Sequence, residues 1–280
     1  MTDNICETAK NSKALFLDLD GTLLDDRKKI SEKNRLAIDR MLAMGHRVII
    51  TTGRPLVSAR VQAKALGLTG SGCYLIAYNG GVLFDTEHEK VIYKQTIPLP
   101  LIRLVFDEAN KRGLHIQTYD DDYVLAEPRC DNEYLRYYST NFGVPSRIID
   151  SVRSLTQEPV KMLMIDMEDP SRLESMRGWV AEHAGEQLDT FFSSEVFVEI
   201  ISKGLNKGNA LRQMAALLDI PLENTISAGD AGNDLPMIRA AHLGCAMANA
   251  SDAVKAAAGY ITEADNNHDG VAEIIEKFIL

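Results

Sequence analysis

Cysteine is scarce. Cys6, Cys73, Cys130 and Cys245 lie far apart in the 280 residues and form no C-x-x-C pair. That spacing implies neither a disulfide framework nor a cysteine metal site, and all four are read as reduced. Histidine shows no metal-type spacing either, since His46, His88, His115, His183, His242 and His268 stand apart. Runs of Lys or Arg are missing, and 30 basic against 40 acidic residues leave a formal net charge of −10. Such a balance argues against nucleic acid and anionic membrane surfaces as partners. It gives no help in attracting an anionic substrate, so any phosphate has to be held by local groups. No apolar stretch approaches the ~20 residues of a membrane span. Met1 to Lys10 is polar and lacks a signal-peptide core, so the expected location is the cytoplasm. Internal repeats and low-complexity linkers are also lacking.

What is present has the composition of a soluble globular protein, 45% hydrophobic and 25% charged, in a chain long enough for two domains. The apolar run Ala14-Leu15-Phe16-Leu17 reads as a buried strand of a parallel sheet. Ser31 then caps a helix with Leu36, Ala37, Met41, Leu42 and Met44 on its apolar face, closed by Gly45. Val48-Ile49-Ile50 is a second buried strand, Pro55 opens a helix to about Leu66, and Tyr74 to Ala77 is a third strand. Strand, helix, strand, helix, strand is a doubly wound α/β beginning with right-handed crossovers.

The rhythm changes near Val82. Val82 to Phe84 and Val91 to Tyr93 resemble a hairpin, and Leu99 to Lys111 a helix. His115 to Tyr119 and Tyr123 to Glu127 pair around Asp120-Asp121-Asp122, a turn read as solvated and not as a metal site. A helix from Asn132, a strand from Val160 to Ile165 and a helix from Pro170 to Ala184 follow, the last with Trp179 on its core face. Strands around Phe191-Phe192 and Val196 to Ile201 end a separate α+β module. From Lys207 the alternation returns. Helix Asn209 to Leu218, strand Thr225 to Ala228, helix Asn233 to Ala241 and strand Cys245 to Met247 lead to a helix capped by Ser251. A strand at Tyr260 to Thr262 and a helix from Val271 to Leu280 close the chain. The expected organisation is one α/β domain, residues 1–85 and 196–280, interrupted by an inserted module over 86–195.

Four segments carry chemistry. The first strand runs into Asp18-Leu19-Asp20-Gly21-Thr22-Leu23-Leu24. Carboxylates two apart lie on one side of an extended chain, and Gly21 lets the backbone turn sharply toward a ligand. Open α/β sheets bind ligands past the carboxyl ends of their strands. Paired acids there suit a divalent cation, a nucleophile with an acid/base partner, or both. Alone, the pair reads equally well as a turn cap. The second segment, Thr51-Thr52-Gly53-Arg54, offers a hydroxyl, a glycine amide and a helix N-terminus as a phosphate cradle, or simply a helix cap. The third, Lys207-Gly208, places an ammonium at a helix start, with Lys203 as a rival in a connecting loop. The fourth, Gly229-Asp230-Ala231-Gly232-Asn233-Asp234, gathers further acids on a glycine-rich loop after a strand. So much like charge needs a cation to offset it, and Mg²⁺, a hard oxygen-seeking ion, fits.

In this order and spacing the four segments resemble the haloacid dehalogenase superfamily of phosphatases, and within it the Cof-type sugar-phosphate phosphatases. Asp269-Gly270-Val271-Ala272 before the last helix is similar as well. The resemblance spans nearly the whole chain, though the insert carries it only by position, length and mixed pattern. Ala231 departs from the family, where Gly, Ser or Glu is common, and leaves every ligand in place. The resemblance implies a Rossmann-like parallel-sheet core with the insert as an α+β cap domain. It makes Asp18 the nucleophile that forms an aspartyl-phosphate and Asp20 the general acid and base. It assigns Mg²⁺ to the carboxylates of Asp18 and Asp230 and the Asp20 carbonyl, with Asp234 supporting the ion's water shell. Thr52, Gly53 and Lys207 would hold phosphoryl oxygens, and Asn233 would help position Asp18 or Lys207.

The implied activity is removal of phosphate from small phosphorylated metabolites, sugar phosphates above all. A hexose phosphomutase could use the same Asp pair, and a non-catalytic phosphosugar-binding regulator is the third class considered. Retention of Asp20 argues against the regulator, which would not need a proton-transfer group. His268, Arg129, Arg136 and Tyr123 are weaker candidates for substrate contact.

Overall fold

The computed structural model describes residues 12–128 and 132–280. Among them the chain runs β1 (Ala14–Leu17), α1 (Glu32–Ala43), β2 (Arg47–Thr51), α2 (Leu56–Ala65), β3 (Cys73–Ala77), β4 (Val82–Asp85) and β5 (Lys90–Lys94). It continues α3 (Leu99–Lys111), β6 (His115–Tyr119), β7 (Val124–Ala126), α4 (Glu133–Phe142), β8 (Ser146–Ile148), β9 (Lys161–Ile165), α5 (Ser171–Ala184), β10 (Leu188–Ser194) and β11 (Phe197–Ser202). The last part is α6 (Lys207–Leu217), β12 (Thr225–Gly229), α7 (Leu235–Ala240), β13 (Leu243–Ala246), α8 (Asp252–Ala257), β14 (Tyr260–Ile261) and α9 (Gly270–Phe278).

The protein has an α/β fold with two sheets and two compact units. Residues 12–54, Ala59–Tyr93 and Asn206–Leu280 belong to the first unit; Lys94–Leu205 and Pro55–Ser58 belong to the second.

The sheet of the first unit has the order β14-β13-β12-β1-β2-β3-β4-β5. From β14 to β3 the pairing is parallel, and β4 turns back antiparallel on β3. Every residue of β1 is buried, as expected of a central parallel strand covered on both faces. On one face Phe16, Ile49, Ile76 and Leu83 pack against Ala210, Leu211 and Met214 of α6 and Met237 of α7. Alternation sends Leu15, Leu17, Val48 and Ile50 to the other face, where they are also buried. Helix α1 begins as the sequence predicts, with Ser31 Oγ accepting from Asn34 N at 3.1 Å. Asn34 Oδ1 in turn accepts from Ala272 N of α9 at 2.8 Å. Ser251 precedes α8 in extended backbone, but its hydroxyl makes no capping bond; its N–H instead donates to Asp230 O at 3.0 Å.

The sheet of the second unit has the order β10-β11-β9-β6-β7-β8. Ile116, Met162, Met164, Val198 and Ile200 face α3 and α5, meeting Ile102, Val105 and Phe106 of one and Leu173, Met176 and Val180 of the other. On the opposite face Lys161 and Glu199 form a buried ion pair at 3.0 Å. Strand β8, absent from the sequence reading, is exposed throughout, so it has no burial alternation to betray it.

Candidate functional site

The parallel register sets strand ends side by side. Leu17 is level with Ala228 of β12 and with Ile50 of β2, so Asp18, the Asp230 loop and Thr51-Thr52 emerge at one edge. Asp18 N donates to Ala228 O at 3.1 Å, fixing that level. Gly21 lies at φ 85°, and a Cβ there would stand 2.5 Å from Asp230 Oδ2. Only glycine meets both demands. Thr22 Oγ1 then donates to Asp230 Oδ1 at 2.9 Å, stitching the first and fourth motifs together.

Lys207 is the first residue of α6, with 0% exposure. Asn206 Oδ1 caps that helix by accepting from Gly208 N and Asn209 N at 3.0 and 2.9 Å. A Cβ on Gly208 would lie 2.3 Å from Pro236 O, so the glycine lets α6 press against α7. The Lys207 ammonium donates to Asp18 Oδ1 at 2.5 Å and to Asp234 Oδ1 at 2.6 Å. Asp234 Oδ2 accepts from Asp230 N and Ala231 N, each at 3.0 Å. Both Asp234 oxygens are thus engaged by protein, and the residue braces Lys207 and the glycine-rich loop together.

A buried ammonium is tolerable only with such partners. Burial acts to lower the Lys207 pKa, but the charges of Asp18 and Asp234 and their hydrogen bonds outweigh it and raise it. Asp18 is pushed up to about 7, by burial first, against the pull of Lys207 and with the added repulsion of Asp234 and Asp230. Burial also raises Asp230, partly opposed by the Thr22 hydrogen bond. One oxygen from each of Asp18, Asp230 and Asp234 falls within 4.8 Å of the others. Among the described residues the Asp18 carboxylate accepts only from Lys207 and the Asp230 carboxylate only from Thr22, so each keeps a carboxylate oxygen without a protein donor. Three carboxylates, one ammonium and hard oxygen donors fit a divalent cation.

Asp20 stands apart from that cluster. Arg54 Nε donates to its Oδ2 and Arg54 Nη2 to its Oδ1, both at 2.8 Å, and Lys28 Nζ reaches Oδ1 at 2.8 Å. Burial would raise the Asp20 pKa, but these two cations outweigh it and hold the carboxyl below its ordinary value.

Thr52 is 2% exposed; its N–H donates to Ile76 O at 2.8 Å and its Oγ1 accepts from Arg54 N at 3.2 Å. Its carbonyl accepts from Asn79 N at 3.0 Å. The Asn79 carboxamide lies over Gly53, 3.1–3.2 Å from where a Cβ would stand. Tyr78, Asn79 and Gly80 are left-handed in succession, at φ 53°, 56° and 119°. Left-handed non-glycine residues cost about 1–3 kcal/mol each and collect at functional sites. Asn233 Nδ2 donates to Asn79 Oδ1 at 3.3 Å and forms no hydrogen bond with Asp18 or Lys207.

Sequence reasoning gave Asn79, Thr22, Lys28 and Arg54 no role. The Asn79-Gly80 dipeptide was the available signal, since both tolerate left-handed backbone. Lys203 is paired with Asp189 at 2.7 Å. In the triple-Asp turn, Asp120 Oδ1 accepts from Asp122 N and Tyr123 N, and Asp121 pairs with Lys94. Tyr123 lies under the Arg147 guanidinium, 3.9 Å from ring centroid to Cζ, and His268 pairs with Asp265. Trp179 packs, partly buried, against the core of the second unit. Arg129, Cys6, Cys130 and Met1 to Lys10 lie outside the described residues. Among the described residues no helix is long and apolar enough to cross a membrane.

Residues 15–275 match the profile of a family described as haloacid dehalogenase-like hydrolase. The chain is similar to the putative phosphatase YxeH of Bacillus subtilis, 32% identical over 96% of this chain and 98% of that one. It is 31% identical to a 5-amino-6-(5-phospho-D-ribitylamino)uracil phosphatase, YcsE, of the same organism, over 96% of each. Among solved structures, a haloacid dehalogenase-like hydrolase from Bacteroides thetaiotaomicron superposes with a TM-score of 0.87 at 30% identity, over 96% of this chain and 100% of the other.

Proposed function

The chain belongs to the haloacid dehalogenase-like hydrolase family, and on that premise we propose that it is a Mg²⁺-dependent phosphohydrolase of small phosphorylated metabolites, sugar phosphates above all. The observation that carries this reading is the buried bridge of Lys207 to Asp18 and Asp234, with Asp230 alongside. A carboxylate attacking a phosphate dianion faces strong repulsion, and an ammonium fixed on that carboxylate reduces it. A non-catalytic phosphosugar binder would have no need of Asp20 as a proton-transfer group.

Asp18, Asp230 and the Asp20 carbonyl would hold the cation, with Asp234 behind them. When bound, it supplies positive charge that offsets the excess of carboxylates and of phosphate oxygens. Asp18 attacks phosphorus and becomes the aspartyl-phosphate. Asp20 protonates the departing alkoxide and afterwards takes a proton from the attacking water. Lys207, the Thr52 hydroxyl and the Gly53 amide bind the transferring oxygens, and Asn79 and Asn233 hold that turn in place. Phosphate monoesters are among the slowest substrates to hydrolyse unaided, with enzymatic accelerations up to ~10²¹, which is why one site combines these groups. The substrate of YcsE carries its phosphate on a ribityl chain, which supports polyol and sugar phosphates as the class. We assign the choice among them to the inserted unit as a cap.

The test is phosphate release from a panel of phosphorylated metabolites, with and without Mg²⁺. Selective hydrolysis of sugar or polyol phosphates that stops on chelation supports the reading. Full activity after exhaustive chelation, or no release from any ester, defeats it.

A further inference from the structure

Arg54 directly follows the Thr52-Gly53 turn and grips the Asp20 carboxylate with two parallel hydrogen bonds, Nε to Oδ2 and Nη2 to Oδ1, both at 2.8 Å. A planar two-point grip fixes the rotation of a carboxylate as well as its position. Lys28 adds one bond from the following loop, but its side chain is 56% exposed against 20% for Arg54. Exposed pairs hold little, so Arg54 is the partner that sets the orientation of Asp20. Arg54 is itself held through both of its backbone polar groups. Its N–H donates to Thr52 Oγ1 at 3.2 Å, and its carbonyl accepts from Tyr78 N at 3.0 Å. A series of fixed groups therefore runs from the left-handed Tyr78-Asn79 turn through Arg54 to Asp20.

We infer that Arg54 is a positioning residue for proton transfer by Asp20, holding its carboxyl in the orientation from which the leaving group is protonated. This rests on the acid/base reading of Asp20 above. When the bond from Asp18 to phosphorus forms and the ester P–O bond breaks, the electron pair passes to the ester oxygen, which takes the proton of Asp20. In the second half, water attacks phosphorus and gives a proton to the Asp20 carboxylate, while Asp18 departs as a carboxylate. Arg54 neither gains nor loses a proton in either half.

The experiment compares Arg54→Gln, Arg54→Lys, Asp20→Asn and the double variant Asp20→Asn/Arg54→Gln on two esters. One is p-nitrophenyl phosphate, whose phenolate leaves without a proton; the other is the alkyl monoester turned over fastest in the panel. General acid–base catalysis contributes about 10²–10⁴-fold, so Asp20→Asn should lose about that much in kcat/KM on the alkyl ester and far less on the nitrophenyl ester. Arg54→Gln should lose roughly 10-fold in kcat/KM on the alkyl ester, which reports the steps up to loss of the leaving group and not the shared breakdown of the aspartyl-phosphate, while staying within about 3-fold on the nitrophenyl ester. Arg54→Lys, with a charge but no planar fork, should fall between. The double variant should be no slower than Asp20→Asn, because Arg54 acts only through Asp20. Thermal melting of each variant separates these losses from misfolding, which would slow both esters alike.

Equal losses on the two esters, losses that multiply in the double variant, or faster alkyl-ester turnover in Arg54→Gln would each overturn the inference. A leaving-group split in Asp20→Asn without one in Arg54→Gln overturns it alone. No split in Asp20→Asn defeats the acid/base reading, and the inference with it.

Discussion

Lys207 and Asp234 are both 0% exposed, and the ammonium of one donates to the carboxylate of the other at 2.6 Å. The same ammonium also donates to Asp18, so one buried cation joins the glycine-rich loop to the acid at the end of β1. Asp234→Ala would leave the ammonium with one carboxylate and free two loop N–H groups. Removing one partner of a buried pair costs about 3–5 kcal/mol. Urea unfolding should show a loss of that order, together with loss of phosphatase activity. A loss below ~1 kcal/mol would mean that water reaches Lys207.

Asp18→Asn and Asp20→Asn should fail at different stages. Asn at position 18 is nearly isosteric but a poor nucleophile, so no phosphoryl-enzyme should form from any ester. Asn at position 20 keeps its backbone carbonyl and loses proton transfer, so p-nitrophenyl phosphate should still phosphorylate Asp18 in part. Water is then poorly activated, and the aspartyl-phosphate should accumulate. Intact mass after acid quench reads it directly. Activity in Asp18→Asn would remove Asp18 from its role.

Cation binding should be visible in the folded state. Carboxylates that repel one another are relieved by Mg²⁺, so the melting temperature should rise with Mg²⁺ concentration and the rise should vanish in Asp230→Asn. Ca²⁺ should also stabilise yet inhibit hydrolysis. Its larger and looser shell would let Asp18 bind through both oxygens and so lose its attacking position. Equal turnover with Ca²⁺ and Mg²⁺ would count against the assignment.

Asn79 offers a way to separate strain from contact. Asn79→Ala keeps a left-handed non-glycine residue and loses the carboxamide over Gly53; Asn79→Gly loses the carboxamide but relieves the backbone. Both should weaken inhibition by inorganic phosphate to the same extent. Thermal or urea unfolding should find the glycine variant more stable by about 1–2 kcal/mol. If phosphate binding recovered in Asn79→Gly, the backbone and not the amide would matter.

His46 gives stability a pH dependence away from the site. Its Nδ1 accepts from Lys13 N at 3.1 Å, which requires that nitrogen to be unprotonated. Burial first, then the charges of Lys13 and Arg47, lower its pKa from 6.5. The unfolded chain therefore binds the proton more readily, so stability is full above about 6.5 and falls as pH drops toward the folded pKa. Urea unfolding between pH 7.5 and 5 should show this decline, and His46→Asn, which cannot protonate, should flatten it. An unchanged slope in His46→Asn would move the effect to another group.

The sequence alone determined the features that depend on near neighbours. Apolar runs such as Ala14 to Leu17 fit only a strand covered on both faces, Ser31 can cap the helix it precedes, and acid-rich glycine loops after strands mark a ligand edge. The exposed β8 carries no alternation, and the Ser251 hydroxyl left its helix end uncapped, so in these places local pattern was silent or outvoted. Tertiary structure alone decided the partners. Lys207 and Asp18 are 189 residues apart, and they meet because β12, β1 and β2 lie side by side with α6 packed against one face. The division of the acids was equally invisible: Asp18 turns to Lys207, while Asp20, two residues on, turns to Arg54 and Lys28. A side chain's rotamer answers to whichever backbone the fold brings beside it, and the i to i+2 spacing of two carboxylates holds no information about that.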